Sequence, residues 1–394
     1  MSIEPRPTRP IPAVDGEELR ATVRRHYAAR LAQGTCCGSD ASTSTASVST
    51  TIAAPLVADA PPDVPTFGCG GPNGAASLRE GETVLDLGSG AGFDAFRAAE
   101  AVGPSGEVLG VDMTPAMLAR ARAGAERMGY RQVRFLEGEI ERLPLPDDRV
   151  DVVISNCVVN LAVDVPRVLG EAIRVLRPGG RLRIADTFRR GAVPATPDAE
   201  AWCACEAGAH DPGRLAAMAR AAGFVDVSVD PPPAGTEDGA VYGAVLHGTK
   251  PTIGPLSDAH ASAATELLTA SGLPLAGWSE PNVDRWGAYE GSRLVGVVAL
   301  EAHGRDGLVR SLAVSPEARG RGLATALVAH ALAEGGRRSL ETLTAVTETI
   351  PDLLVRWGFH EVARSELPDA LRASPELQDA CPASARTFIL ELRS

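Results

Sequence analysis

Lysine is almost absent from this chain: of 38 basic residues, Lys250 is the one lysine and the other 37 are arginine. Schiff-base chemistry and a phosphate-cradling lysine loop would both depend on that single residue, which excludes them as working readings. Positive charge is scarce overall, because 38 basic against 50 acidic residues leave a net charge of −12. That balance removes the footprint that a nucleic-acid backbone or an anionic bilayer surface demands. No apolar run approaches the roughly 18 to 20 residues that cross a bilayer, and the opening MSIEPRPTRPIP lacks the apolar core of a signal peptide. The expectation is a cytoplasmic protein with neither nucleic acid nor membrane as partner. Paired C-x-x-C spacings are missing as well, which weighs against a structural zinc site. The seven cysteines, at 36, 37, 69, 157, 203, 205 and 381, are an odd number in a long chain and fit reduced thiols better than a disulfide framework.

At roughly 150 residues per domain, 394 residues make two to three domains. Residues 1–66 read as an N-terminal segment: a helix over Gly16–Gln33 with Leu19, Val23, Tyr27 and Leu31 on one face, the thiol pair Cys36-Cys37, and a Ser/Thr/Ala-rich connector over 39–51. From Glu82 strands alternate with helices: ETVLDL, EVLGVD, VRFLE, VDVVISN and RLRIAD, separated by helical patterns that include 93–101, 115–128 and 165–176. That alternation predicts an α/β fold with a doubly wound parallel sheet, closed by FVDVSV and VYGAVLHG as an antiparallel addition, over residues 67–250. PTIGPLS at 251–257 has the texture of a linker, and a second α/β domain follows over 251–394.

The run Asp86-Leu87-Gly88-Ser89-Gly90-Ala91-Gly92 places G-x-G-x-G between a strand and a helix, where glycine lets the backbone approach a ligand. Asp112 ends the next strand, where a carboxylate can accept from both ribose hydroxyls of an adenosine, and Thr114-Pro115 opens the next helix. A nicotinamide cofactor and S-adenosyl-L-methionine both use such loops. Asp86 inside the motif suits the cationic amino-acid tail of the latter better than a diphosphate. Met113 beside Asp112, Glu139-Ile140 after the third strand, and Asn156 at the end of the fourth complete the candidate cofactor set.

Three cysteines do not read as structural. Cys157 ends the strand VDVVISN at the edge where doubly wound sheets bind ligands; Cys69 sits between glycines; Cys205 lies in a connection that roofs such pockets. Three thiols converging there open thiol or soft-metal chemistry, with zinc on Cys69, Cys157, Cys205 and His210 as a competing reading.

These residues resemble the arsenite S-adenosylmethionine methyltransferases over roughly 67–247, through GCG at 68–70, ETVLDLGSGAGFD at 82–94, GVDMTPAML at 110–118, GEIE at 138–141, ISNCVVNL at 154–161 and CEAGA at 205–209. The resemblance implies a Rossmann-like class I methyltransferase domain in which Cys69, Cys157 and Cys205 bind trivalent arsenic. It further implies that Cys36 and Cys37 act as a thiol relay, and that arsenite or its thiol adducts are the substrate, with thioredoxin or glutathione as reductant. Cys203 and His210 depart from the family pattern. Alternatives are a methyltransferase for an organic acceptor with incidental cysteines, and a metalloid- or zinc-binding protein without turnover.

In the second domain, Leu312 and Val314 lie on a strand leading to Arg319-Gly320-Arg321-Gly322-Leu323-Ala324. Glycines opening a helix present successive amides to a pyrophosphate. Arg319, Gly320, Gly322 and Ala324 resemble the acetyl-CoA-binding signature of GNAT acetyltransferases, and ARSELPDALR and CPASA resemble the acetyltransferase-like proteins of arsenic-resistance operons. The tyrosine that many GNAT enzymes use as acid for the departing thiolate is missing: Leu353-Leu354 stand in its place. Acetyl-CoA binding is therefore expected, whereas turnover needs a replacement acid, for which Glu301, His303 or a water are alternatives that nothing in the sequence selects among.

Overall fold

Apolar strands buried on both faces need a helix layer on each side, and that requirement shapes the first part of the chain. The computed structural model describes residues 16–33, 76–189, 202, 208–380, 382 and 384–392. The chain divides into two compact units, the second made of residues 251–394 with 223–225 and the first of the remainder up to Lys250.

In the first unit, helix α1 (Gly16–Gln33) precedes β1 (Thr83–Leu87), α2 (Phe93–Val102), β2 (Glu107–Asp112), α3 (Pro115–Met128), β3 (Val133–Glu137), β4 (Val150–Asn156), α4 (Val165–Val175), β5 (Leu176–Arg189), α5 (Pro212–Ala221), β6 (Val225–Val229) and β7 (Val241–Thr249). The sheet order is β3-β2-β1-β4-β5-β7-β6. The strands from β3 across to β5 pair in parallel, and β7 runs antiparallel to β5. Every residue of β1 is buried. The helix starts are written locally: Pro115 occupies the first turn of α3, while Asp164 and Asp211 accept from the Arg167 and Arg214 amides to open α4 and α5. Leu19 and Val23 of α1 are buried, and Tyr27 and Leu31 pack against the core, so the expected apolar face of that helix is the one used.

The strand order reverses between β1 and β4. Chain segments leaving those two strands diverge to opposite sides, which opens a crevice at their C-terminal ends.

The second unit carries β8 (Thr252–Pro255), α6 (Ala261–Ala270), β9 (Val283–Glu290), β10 (Arg293–His303), β11 (Asp306–Val314), α7 (Leu323–Arg337), β12 (Thr342–Thr347), α8 (Pro351–Arg356), β13 (His360–Val362) and β14 (Arg386–Glu391), in the order β13-β14-β12-β11-β10-β9-β8. Leu327, Val328 and Ala331 of α7 form one core with Val295, Leu300 and Phe388 of the sheet. Residues 252–255 are an edge strand paired with β9 rather than the linker their composition suggested. Prolines are tolerated there because the outer side of an edge strand needs no donor.

Candidate functional site

The crevice between β1 and β4 is floored by the glycine loop. Gly88, Gly90 and Gly92 have φ of +66°, +52° and +95°, the left-handed region that L side chains avoid. Gly88 is there for closeness too: a Cβ would fall 2.5 Å from both γ-carbons of Val158. At Gly90 the same test meets nothing within 4 Å, so this turn faces open space. The Asp112 carboxylate organises the loop, accepting from the Gly90 amide at 2.9 Å and the Thr114 amide at 2.8 Å. Burial pushes Asp112 above the ordinary carboxylate range, against the pull of those two amides.

Three carboxylates converge here. Asp86, at the end of β1, is 2% exposed, and its Oδ2 has no hydrogen-bond partner among the described residues. Burial first, then the neighbouring charges of Asp94 and Asp112, raise its proton affinity well above the ordinary value, with only the Ala95 amide opposing them. Asp94 accepts from the Asn156 Nδ2 at 2.9 Å, which ties β4 to the first turn of α2. Burying the Asp86 charge with one oxygen unpartnered among the described residues is costly, and a positively charged ligand group at that oxygen would offset the cost. The sequence signals Asp94 only by its place two residues after the last glycine of the motif.

Cys157 follows β4 in the left-handed region, at φ +55°. A non-glycine residue in that conformation stores strain, a recurrent feature of functional sites. Its side chain is 3% exposed and packs with Leu19 and Val23 of α1, Leu161 and Trp202. Cys36, Cys37, Cys69, Cys203 and Cys205 lie outside the described residues, so of the expected thiols the structure places Cys157 alone. His210 is buried, and its carbonyl accepts from the Arg189 amide. No metal-ligand cluster occurs among the described residues.

Beyond Asp112 a cavity of about 450 Å³ is lined by Met113, Glu137, Gly138, Glu139, Arg142, Leu143, Pro144 and, from α1, Arg24. Met113 and Glu139 thus line one cavity beside the crevice. Ile140 is buried beside this cavity's lining segment without forming part of its wall.

In the second unit β11 and β12 pair in parallel only from Asp306↔Thr342 to Val309↔Ala345, while β11 continues to Val314. A bulge against β10 and a φ of +54° at Ser311 mark where β11 bends away. The splayed end carries Leu312 and Val314 toward the glycine turn, where Gly320 (φ +78°) and Gly322 (φ +98°) precede α7 and Ala324 stands in its first turn. Arg319 closes this turn by donating from Nε to the Val314 carbonyl at 3.0 Å. Glu301 and His303 belong to a different arrangement. Glu301 holds Arg310 at 2.8 Å, His303 at 2.7 Å and Ser374 at 3.1 Å, and Arg310 also pairs with Glu376. Burial alone would raise Glu301, yet the bonds from Arg310, His303 and Ser374 prevail and hold it below the ordinary range. It is held ionised as a fixed counter-ion and so has no proton to donate at neutral pH, which argues against it as the acid standing in for the missing tyrosine.

Residues 78–223 match a methyltransferase domain family, and residues 256–362 match the acetyltransferase (GNAT) family. The chain joins a class I methyltransferase domain to a GNAT domain. Its first unit is homologous to arsenite methyltransferases. It is 42% identical over 240 residues to the arsenite methyltransferase of Halobacterium salinarum, which covers 57% of this chain and 61% of that protein. It is 43% identical over 183 residues to the one from Aquipseudomonas alcaligenes, covering 44% and 52%. The chain thus spans between half and two thirds of those relatives' lengths. Among solved structures, an arsenic(III) S-adenosylmethionine methyltransferase from Chlamydomonas reinhardtii is 35% identical, over 49% of this chain and 71% of that one, at a TM-score of 0.41. No helix among the described residues is long and apolar enough to cross a membrane.

Proposed function

We propose that the first domain methylates trivalent arsenic from S-adenosyl-L-methionine. The observation that carries this reading is the juxtaposition, at one crevice, of the buried Asp86, one carboxylate oxygen of which has no hydrogen-bond partner among the described residues, and a strained, buried cysteine at the end of β4. The residues fit the cofactor. The orphaned Asp86 oxygen would take its ammonium, Asp112 its ribose hydroxyls, and Met113 and Glu139 would flank its adenine, while the open face at Gly90 admits the chain between them. Bound there, the cofactor supplies an electrophilic methyl group on a sulfonium.

Cys157 would hold the arsenic substrate, with Cys69 and Cys205 as the further thiolates. Trivalent arsenic is thiophilic and keeps a lone pair, so thiolate ligation leaves it nucleophilic and no general base is required. The domain's contribution is then positioning and exclusion of water, the latter by Leu19, Val23, Leu161 and Trp202 around Cys157. Transfer oxidises arsenic, so Cys36 and Cys37, with thioredoxin or glutathione, would return it to the trivalent state in a reducing cytoplasm. The second domain would bind acetyl-CoA along Leu312 and Val314, with the pyrophosphate at Arg319, Gly320, Gly322 and Ala324.

The test is purified protein with arsenite, glutathione and labelled S-adenosylmethionine, with arsenic speciated by chromatography and mass spectrometry. Methylated arsenic that disappears in Cys157→Ser supports the reading. Cofactor binding without any methylated arsenic overturns it in favour of an organic acceptor.

A further inference from the structure

Helix α1 stands before the methyltransferase domain proper, outside the residues matched to that family, yet it supplies a wall of the cavity lined by Met113 and Glu139. Arg20 and Arg24 lie four residues apart and so share a helix face. Arg20 reaches Glu141 at 3.8 Å, and Glu141 is buried and also accepts from the Val163 amide. That pair fixes α1 against the segment after β3. One turn on, Arg24 lines the cavity beside Glu139, Arg142 and Met113. Glu17 pairs with both arginines, at 3.6 Å to Arg20 and 2.8 Å to Arg24. Leu19 and Val23, on the adjoining face, are packed down on Cys157 and Trp202. The Arg24 guanidinium, paired with Glu17, is therefore part of the wall of a cavity whose other walls are the acidic Glu137 and Glu139, a second arginine at Arg142, the Met113 thioether and the aliphatic Leu143 and Pro144.

We propose that Arg24 of α1 is a cofactor-binding residue that closes the cavity over the adenine of S-adenosylmethionine. The inference rests on the cofactor assignment made above. A planar guanidinium stacks on aromatic faces and is weakly hydrated, so it suits an adenine ring better than a lysine ammonium does. The alternative is that Arg24 serves only its ion pair with Glu17, which at 34% and 60% side-chain exposure stabilises little.

The experiment measures S-adenosylhomocysteine binding to the full chain by calorimetry, for wild type and for Arg24→Ala, Arg24→Lys, Glu17→Gln and Arg25→Ala. Expected is a roughly tenfold weaker Kd for Arg24→Ala, the scale of a desolvated cation–π contact. Arg24→Lys recovers part of it, and Glu17→Gln and Arg25→Ala stay within about twofold of wild type. Amide exchange in α1 slows on ligand binding in wild type and not in Arg24→Ala. If Arg24→Ala binds as wild type does, or loses affinity only as much as Glu17→Gln, the inference is overturned while the cofactor assignment stands. If wild type itself binds no S-adenosylhomocysteine, both are overturned.

Discussion

Replacing Asp86 by Asn separates the stability of the first domain from its function. The carboxylate is buried beside Asp94 and Asp112, with one oxygen unpartnered, so in the absence of ligand its charge works against the fold. Relief of such a functional-site burden is worth about 0.5–2 kcal/mol. For a domain of this size each kcal/mol moves the melting temperature by about 2–4 °C, so Asp86→Asn melts about 1–8 °C higher. The same change removes the charged acceptor proposed for the ammonium of S-adenosylmethionine. A hydrogen bond to a charged group contributes about 1.5–3 kcal/mol, and at about 1.4 kcal/mol per decade S-adenosylmethionine binds about 10- to 150-fold more weakly. The pH dependence has a definite sign. Because the folded protein holds the Asp86 proton more tightly than the unfolded chain, unliganded stability falls as pH rises from the ordinary carboxylate range to the raised value. That slope flattens in Asp86→Asn. Binding of the cation displaces the proton, so cofactor affinity climbs through the same window in wild type alone. Thermal melts and calorimetric titrations from acid to neutral pH measure both. A variant that melts lower and binds S-adenosylmethionine as wild type does would refute the reasoning.

Gly88→Ala and Gly90→Ala differ in what the added methyl meets. Both incur left-handed strain of about 1–2 kcal/mol, but Gly88→Ala also drives into Val158 at a cost of about 1–3 kcal/mol, so its melting temperature drops further. In the second domain, Arg310→Met leaves Glu301 and Glu376 buried without their cation and costs about 3–5 kcal/mol, read as faster amide exchange over residues 293–314. Because Glu301 is held below the ordinary range, the stability it contributes is present at neutral pH and lost as pH falls through its folded value; Glu301→Gln flattens that acid limb in a chemical denaturation series. Coenzyme A titrated into the full chain binds in wild type and weakens with Gly320→Val, whose side chain meets open space but a φ of +78°.

Elements whose signal is local were legible in the sequence. The glycine loop, Asp112, Met113 and Glu139 each follow a strand at a fixed offset, so a strand and helix pattern suffices to place them at one sheet edge. The antiparallel β7 is legible because Asp230-Pro231-Pro232-Pro233, a proline-rich connection, stands before it in place of a crossover helix. What escaped depends on contacts between distant segments. Residues 252–255 became a strand only because β9 offered an edge, which no feature of PTIGPLS announces. Glu301 reads from sequence as a substitute acid, whereas Arg310, Ser374 and Glu376, brought together from β11 and the segment before β14, fix it as an ion-pair partner. Arg24 carries no motif at all. Its role follows from where Leu19, Val23 and the pair of Arg20 with Glu141 dock a helix whose own charge pattern resembles any solvated face. The same packing that hid it from sequence is what makes it informative. A side chain held in a cavity wall by its helix's anchors keeps its position without the ligand, and preorganisation of that kind reduces the ordering cost of binding.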